Sequence, residues 1–571
     1  MHGLAKVIKN RTALLSQRGD HRPDTLAPLS AALATGALGD ASVDHHEAHG
    51  LFGQIVRRFQ ARRSDEPEVR VTVFTESRRQ VLGFGTSGYT GTDAQTTWKE
   101  QDPEAMVAGA VASVRMAVAQ AGVKAAACQG LSMGGALHTI MALDRSGQPL
   151  TGVITWADGR SAPQAQAIKK LPQAAEVYQQ TGCPVNGMYP LYKIRWLREE
   201  CPDLFAKAAR FVTAKEYVFQ KLTGQPVIDY AVASGSSLLN IHALEWNALS
   251  LDLAGITASS LAPVSRPLTL FRGIDPALAQ AMGVAPETLV VLGASDAANS
   301  SFGAGAVSPW QATCSIGTSG AFRVVAPRPG LDDQARLWCY VADETHWLVG
   351  GAINNGGIAF SWLRDALRPA LSRLSDDGAL SFDDLVGLAD QVEAGAGGLV
   401  CLPFLAGERS PNWNENARAA FFGMTLQHDI RHLARALLEG VAFRMRSVNE
   451  ILADVVGDIR EVRASGGFTR SALWPQIFAS ALNRDLRVPA WAETSALGAA
   501  FWAMRGAGAL PDFESAGGRV SLGAQFHPAP ADAAVYDRLY PIYADLYRNL
   551  TPSFDQIARF QQEQEAALAH T

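Results

Sequence analysis

A strand-turn-strand pattern occurs twice in this chain, and that repeat limits it to a fold built from two related halves. The later copy, WQATCSIGTSGAFRVVAP from Trp310, reads as a strand, a tight Gly317-Thr318-Ser319-Gly320 turn and a second strand. Aligning GTSGAFRVVAP with the earlier DEPEVRVTVFT sets AFRVVAP beside VRVTVFT, again a strand leaving a tight turn. The earlier copy lies within Arg62 to Gly85, a charged loop and two short apolar strands joined by Glu76-Ser77-Arg78-Arg79. Its turn is Asp65-Glu66-Pro67-Glu68, and no partner strand can be read upstream of it.

Around the two hairpins, apolar strands such as AAACQGLSM, TGVITWAD and HWLVGGAIN alternate with stretches of helical periodicity such as DPEAMVAGAVASVRMAVAQAG and IAFSWLRDAL. That alternation predicts the α/β class. The chain divides into an atypical extension (1–68), a first α/β domain (69–308), a second (309–510) and a helical tail (511–571). The extension holds His2, His21, His45, His46 and His49 and an Ala/Leu/Gly-rich run. Its one helix candidate is LFGQIVRRFQARR, Leu51 to Arg63, basic and amphipathic; the extension reads as solvated or weakly ordered, with a membrane or partner contact as the alternative. Net charge is −5, with 50 basic and 55 acidic residues interspersed, which excludes the basic footprint of a nucleic-acid binder. No apolar run approaches the ~20 residues that span a bilayer, and the N-terminus lacks the apolar core of a secretory signal. The six cysteines are scattered, without CxxC spacing, which argues against a zinc site or a disulfide framework. The expectation is a cytoplasmic protein that handles a small molecule and binds neither nucleic acid nor membrane.

Several turns could carry that chemistry. Gly317-Thr318-Ser319-Gly320 can offer backbone N–H groups and hydroxyls to a phosphate, although a plain hairpin turn has the same composition. Asn354-Asn355-Gly356-Gly357, between a strand and a helix, is a second candidate. Ser465-Gly466-Gly467-Phe468, between IREVRA and ALWPQIFASAL, is a third, because a helix N-terminus attracts anions. An apolar strand ends in Gly293-Ala294-Ser295-Asp296 at the junction of the two halves, where α/β proteins place ligands. Asp296 reads either as the cap of the following helix or as a base that takes a proton from a hydroxyl attacking phosphorus. Trp156-Ala157-Asp158-Gly159-Arg160 offers an aromatic face, a carboxylate and a guanidinium, which suits a polyol or sugar acid; a salt bridge beside a tryptophan is the plainer reading. His138 lies beyond another strand, where a structural histidine is equally expected. Gly85-Thr86-Ser87-Gly88 repeats the tetrapeptide of 317–320 but follows the second strand of its hairpin, and is expected to be a loop.

These motifs, taken together, resemble the FGGY family of carbohydrate kinases. MYPLYKIRWLREE, with Lys193 and Trp196, is similar to its first signature and FFGMTLQHDIRHLARALLEGVAF to its second. The resemblance runs from about Val69 to Arg505 through WADGR, GASDA, IGTSGA, GGAINNGG, FLAGERSPNWN and GGFTRSALWPQI. It is strongest toward gluconate kinases, through TGCPVNGMYP, KEYVFQKLTG and Ala297 after the aspartate, where pentulose kinases tend to carry an amide. The resemblance implies two actin-like (ribonuclease H-like) α/β domains with ATP bound in the interdomain cleft, and a terminal hydroxyl of D-gluconate as acceptor. It implies Asp296 as the general base, Gly317, Thr318 and Gly320 at the γ-phosphate, and Gly356, Gly466 and Gly467 along the nucleotide. His138, Trp156, Asp158, Arg160 and Met188 would line the sugar pocket. Mg2+ would ride on ATP phosphates and water with no direct protein ligand, and the assembly is compatible with a homodimer.

One departure stands out. Family members open with a strand and an Asp-x-Gly-Thr-Thr/Ser turn, whereas this chain has SDEPE immediately before VRVTVF. No glycine or threonine is present there, Pro67 removes a backbone donor, and three carboxylates repel a triphosphate. Three readings follow: a gluconate or pentulose kinase with an altered phosphate hairpin, a sugar-binding regulatory protein with little phosphoryl transfer, or an upstream segment that is not the native N-terminus.

Overall fold

In a computed structural model of the protein, residues 68–75, 80–88, 98–122, 124–371 and 380–569 are described, the first two segments by their backbone. The charged loop 62–67, the turn 76–79 and the helix candidate Leu51 to Arg63 lie outside the described residues.

The first hairpin pairs β1 (Glu68–Thr75) antiparallel with β2 (Gln80–Gly88), from Thr75 opposite Gln80 to Glu68 opposite Gly88, with a one-residue register shift between Val73 and Phe74. Gly85-Thr86-Ser87-Gly88 is therefore strand rather than loop. The ladder with β1 continues through it and gives its backbone groups partners that a loop would have to find in water. Next comes α1 (Pro103–Ala121), opened by Asp102, which accepts the Glu104 N–H at 2.9 Å, and closed by Gly122 in the left-handed region. Then β3 (Gly130–Ser132) pairs in parallel with β4 (Leu289–Val291), while Leu270–Phe271 flanks β4 antiparallel. Between β3 and β4 lie α2 (Pro190–Glu200) and α3 (Ala214–Thr223); Thr213 and Glu216 form a capping box at the start of α3. A short helix, α4 (Asp296–Gly303), follows β4.

The second half folds around β5 (Gln311–Ile316), β6 (Gly320–Ala326), β7 (Trp338–Val341), β8 (Trp347–Ile353), α5 (Gly357–Leu371), α6 (Ile430–Val456), β9 (Glu461–Ser465), α7 (Leu473–Leu482), β10 (Asp485–Pro489), α8 (Thr494–Gly506) and β11 (Leu522–Phe526). Its seven strands run in the order β7-β8-β6-β5-β9-β10-β11, with β5, β9 and β10 mutually parallel. A final helix, α9 (Pro530–Ala569), packs on α6 and α7.

Strand alternation divides the second sheet between two cores. Phe322 and Val324 face the cluster built on α6, with Leu438, Phe443 and Met445. Val325, Trp338, Tyr340 and Leu348 face a cluster shared with the first half, through Tyr189, Tyr192 and Phe302. The two lobes are thus joined by an apolar seam, across which the Tyr189 and Tyr340 hydroxyls hydrogen-bond at 3.0 Å. α4 lies directly on α8, an approach that Gly303 and Gly498 permit: a Cβ at either would fall within 2 Å of a carbonyl oxygen on the other helix. Among the described residues no helix is long and apolar enough to cross a membrane.

Candidate active site

Because β3 and β4 are parallel, the loops that leave their carboxyl ends emerge side by side. The Gly135 N–H donates to the Ala294 carbonyl at 3.2 Å, and the Asp296 N–H to the Gly135 carbonyl at 2.8 Å. Beneath them Lys215 of α3, buried and paired with Asp229 at 2.7 Å, donates to the same Ala294 carbonyl at 3.1 Å. Ser295 caps α4 by accepting the Ala298 N–H at 3.3 Å. The capping role read for Asp296 thus belongs to its neighbour, and Asp296 opens the helix with its carboxylate accepting the Ala297 N–H at 2.8 Å. Asp296 is exposed to solvent, while the protein crowds closely around its carboxylate. This crowding raises its pKa; the charge of Arg323 and then the N–H groups of Ala297 and Leu137 oppose the rise.

The second-half turn is built on the end of β5. Gly317 and Thr318 are exposed, and a side chain added at Gly317 would meet nothing within 4 Å. The N-terminus of α5 secures the turn from behind: Gly357 donates to the Gly317 carbonyl at 2.7 Å, and Gly356 and Ile358 donate to the Thr318 carbonyl at 3.2 and 3.0 Å. The N–H of Gly356, expected along the nucleotide, is spent on this brace. Asn354 and Asn355 extend it to the loop before Arg409, through the carbonyls of Ala406 and Gly407 at 2.9 and 2.7 Å. Gly320 is buried between Ile316 and Ile353, so it shapes the turn from within. Strand β9 ends beside β5, and the exposed Gly466 and Gly467 stand next to the turn. Gly466 has φ +100° and ψ −176°, a region essentially reserved for glycine, and it lies against the Ile316 carbonyl. Gly317, Thr318, Gly466 and Gly467 therefore share the carboxyl edge of one parallel strand pair, the edge at which such sheets hold ligands.

On the first-lobe wall His138 is buried with φ +64°, and its Nδ1 lies 2.6 Å from the Gly235 carbonyl. Burial is the main cause that holds the imidazole neutral, its pKa lowered to about 3. Its ring meets Tyr189 and Tyr340 edge-on. Trp156 is 42% exposed, and the Arg409 guanidinium stacks over it at 5.2 Å. Met188 is buried next to Asn186, whose side chain reaches Glu415 of the second lobe at 3.2 Å. Asp158 and Arg160 differ from the expectation that they line the pocket. They are buried and bound to each other at 2.7 Å, with Arg160 also held by Glu100 and its guanidinium 4.2 Å from the Trp98 ring and 5.1 Å from the Trp196 ring. The salt bridge beside tryptophan is thus realised, but inside the protein. Lys193 of α2 is buried as well; its ammonium ties the His138 and Thr155 carbonyls together at 2.6 and 2.7 Å, and burial lowers its pKa to about 7.

Two cleft arginines escaped the sequence reading, although both stand inside quoted motifs. Arg409 follows Glu408 in FLAGERSPNWN, and Arg323 follows the turn in GTSGAFRVVAP. Neither motif distinguishes a surface arginine from one folded inward; only the pairing of β6 with β8 and the loop at 405–409 settle that.

A carboxylate that opens a helix, a glycine-hydroxyl turn at the end of parallel strands and an aromatic, basic wall between two α/β lobes define a phosphotransferase of the actin-like, ribonuclease H-like type. Residues 67–303 match the N-terminal domain, and residues 312–507 the C-terminal domain, of the FGGY family of carbohydrate kinases. The chain belongs to this family, whose members transfer phosphate from ATP to an alcohol group of a sugar. It is 37% identical to a gluconokinase of Bacillus licheniformis, over 76% of this chain and 84% of the relative. It is also 26% identical to a xylulose kinase of Bacillus subtilis (strain 168), over 83% and 94%. Among solved structures, a gluconate kinase from Lactobacillus acidophilus superposes with a TM-score of 0.80 at 29% identity, covering 86% of this chain and 97% of the other.

Proposed function

We propose that this chain phosphorylates a sugar acid, D-gluconate, at its terminal hydroxyl with Mg-ATP. The observation that carries the reading is Asp296: a carboxylate free of capping duty, with its charged form favoured by Arg323, at a lobe junction whose opposite side holds the exposed Gly317–Thr318 turn. In this reading Asp296 accepts the proton of the sugar hydroxyl as that oxygen bonds to the γ-phosphorus and the bond to ADP breaks. Gly317 and Thr318 take the γ-phosphate oxygens, and Gly466 and Gly467 lie along the nucleotide. The open space at Gly317 fits a phosphate group. In this reading Mg2+ would be carried by the ATP phosphates and water. His138, Trp156 and Met188 face the sugar, while Asp158 and Arg160 stiffen the wall behind them.

A pentulose is the second acceptor class, supported by the xylulose kinase relative. Arg409 favours the acid: an enclosed guanidinium over Trp156, with an unpaired Nε, is suited to a carboxylate. A cytoplasmic location and a homodimer complete the reading. The test is purified protein with ATP, Mg2+ and either gluconate or a pentulose panel, with sugar phosphate as readout. Wild type is expected to convert gluconate, and Asp296→Asn to lower kcat by ~10²–10⁴ while both ligands still bind. Equal turnover by the variant, or conversion of pentuloses alone, would overturn the assignment.

A further inference from the structure

Arg323 stands in a cross-strand row of the second sheet that also holds Thr313 of β5 and Arg463 of β9. It lies on β6, the strand that carries the chain away from the Gly317–Thr318 turn, and alternation sends its side chain with Ala321 and Val325 toward the first lobe. There its Nη1 donates to the carbonyl of Ala297, the residue after Asp296, at 3.4 Å. Its Nε is buried without a partner. Close by, Ser301 of α4 hydrogen-bonds Thr313 of β5 at 3.1 Å, so helix and strand meet at this point. Arg323 makes no direct ion pair with Asp296, which leaves the carboxylate available to a substrate.

We propose that Arg323 is the positioning residue of Asp296: its hydrogen bond to the Ala297 carbonyl anchors the Asp296–Ala297 turn, across the lobe junction, to the strand that leaves the Gly317–Thr318 turn. Its positive charge also favours the ionised form of Asp296. This deepens the reading of Asp296 as general base and rests on it. The attraction is reciprocal, since Asp296 opposes the lowering that burial imposes on the Arg323 pKa. Other groups around Asp296 cannot substitute. His138 is neutral, Lys215 is neutralised by Asp229, and α8 offers Ser495, whose hydroxyl donates to the Asp296 backbone carbonyl at 3.2 Å, after Glu493 at its N-cap.

The experiment compares wild type, Arg323→Met and Arg323→Lys in two ways. The first is the pH profile of kcat/KM for the sugar. The second, which needs no turnover, is infrared titration of the carboxylate band that Asp296→Asn removes. In Arg323→Met the Asp296 titration and the acid limb are expected to move up by about one pH unit, with Arg323→Lys restoring most of the shift and KM for ATP changing less than about twofold. Thermal melts check folding, and Arg323→Gln replaces Arg323→Met if the latter does not fold. An unchanged titration, or a rate loss uniform across pH, would overturn the proposal. A wild type without kinase activity whose Asp296 band still shifts would instead count against the functional reading and leave the positioning role standing.

Discussion

Two glycines beside the candidate phosphate site make opposite demands, and substituting each by alanine separates folding from function. Gly466 combines φ +100° with ψ −176°, a conformation that costs a side-chain-bearing residue ~1–3 kcal/mol. Its new Cβ would also fall 2.4 Å from the Ile316 carbonyl oxygen, forcing the ends of β5 and β9 apart. Alanine returns only ~0.4–1 kcal/mol by restricting the unfolded chain, so Gly466→Ala should lose roughly 1–3 kcal/mol and melt a few degrees lower. Gly317 carries no such demand, because its Cβ would enter open space. Gly317→Ala should therefore melt like wild type, yet place a methyl where phosphate oxygens must approach the backbone. The expected loss is tenfold or more in kcat/KM for ATP, about 1.4 kcal/mol, with little change in sugar binding. Scanning calorimetry and steady-state kinetics on the two variants check this. If Gly317→Ala keeps wild-type kcat/KM for ATP, the turn does not hold the phosphate and the assignment built on it fails.

Further outcomes follow from the same geometry. Because crowding raises the Asp296 pKa and the base must be charged to act, activity should fall with falling pH at a limb above the ordinary aspartate value of about 3.9; a limb at or below that value would contradict the crowding. His138, neutral down to about pH 3, should add no limb of its own near neutrality, which Asp296→Asn and His138→Asn profiles can separate. Arg409→Met should raise KM for gluconate about tenfold or more and leave a neutral pentulose less affected; an equal rise for both would remove Arg409 from carboxylate recognition. Lys215→Met strands the buried Asp229 and releases the Ala294 carbonyl, so a loss of ~3–5 kcal/mol is expected by denaturant titration.

The sequence made the alternating strands and helices legible because each follows its own periodicity, and helix starts such as Thr213 and Asp102 carry local capping chemistry. Asp296, Gly317 and Thr318 stood out as candidates because each follows the end of a strand, a position that pattern alone reveals. What pattern could not reveal was how side chains and N–H groups are shared after folding. Gly356 looked like a phosphate contact, but its N–H is taken by the Thr318 carbonyl. Asp158 and Arg160 looked like ligands for hydroxyls, but they satisfy each other inside the first lobe. Gly85–Gly88 looked like a loop because glycine and hydroxyl residues suit turns, yet pairing with β1 outweighs that local preference.

The duplication that opens the reading also explains the division of labour between the lobes. In the second lobe β5 lies between β6 and β9, joining the hairpin to the parallel strands and ending in the Gly317–Thr318 turn. In the first lobe β1 corresponds to β6, and the parallel pair β3 and β4 to β9 and β10. Among the described residues, however, the hairpin and the parallel strands form separate sheets, with α8 packing across β1, β3 and β4. The position equivalent to β5 would fall between β1 and β3, immediately before the Asp65-Glu66-Pro67-Glu68 stretch that replaces a glycine-hydroxyl turn. In the proposed reading the described first lobe supplies the base and the aromatic wall, and the second lobe meets the phosphates at Gly317–Thr318 with Gly466 and Gly467 beside them. In that reading the Asp65-Glu66-Pro67-Glu68 stretch, with no glycine or threonine, offers no matching turn, and ATP affinity is expected to be more sensitive to Gly317→Ala than a pair of symmetric turns would allow.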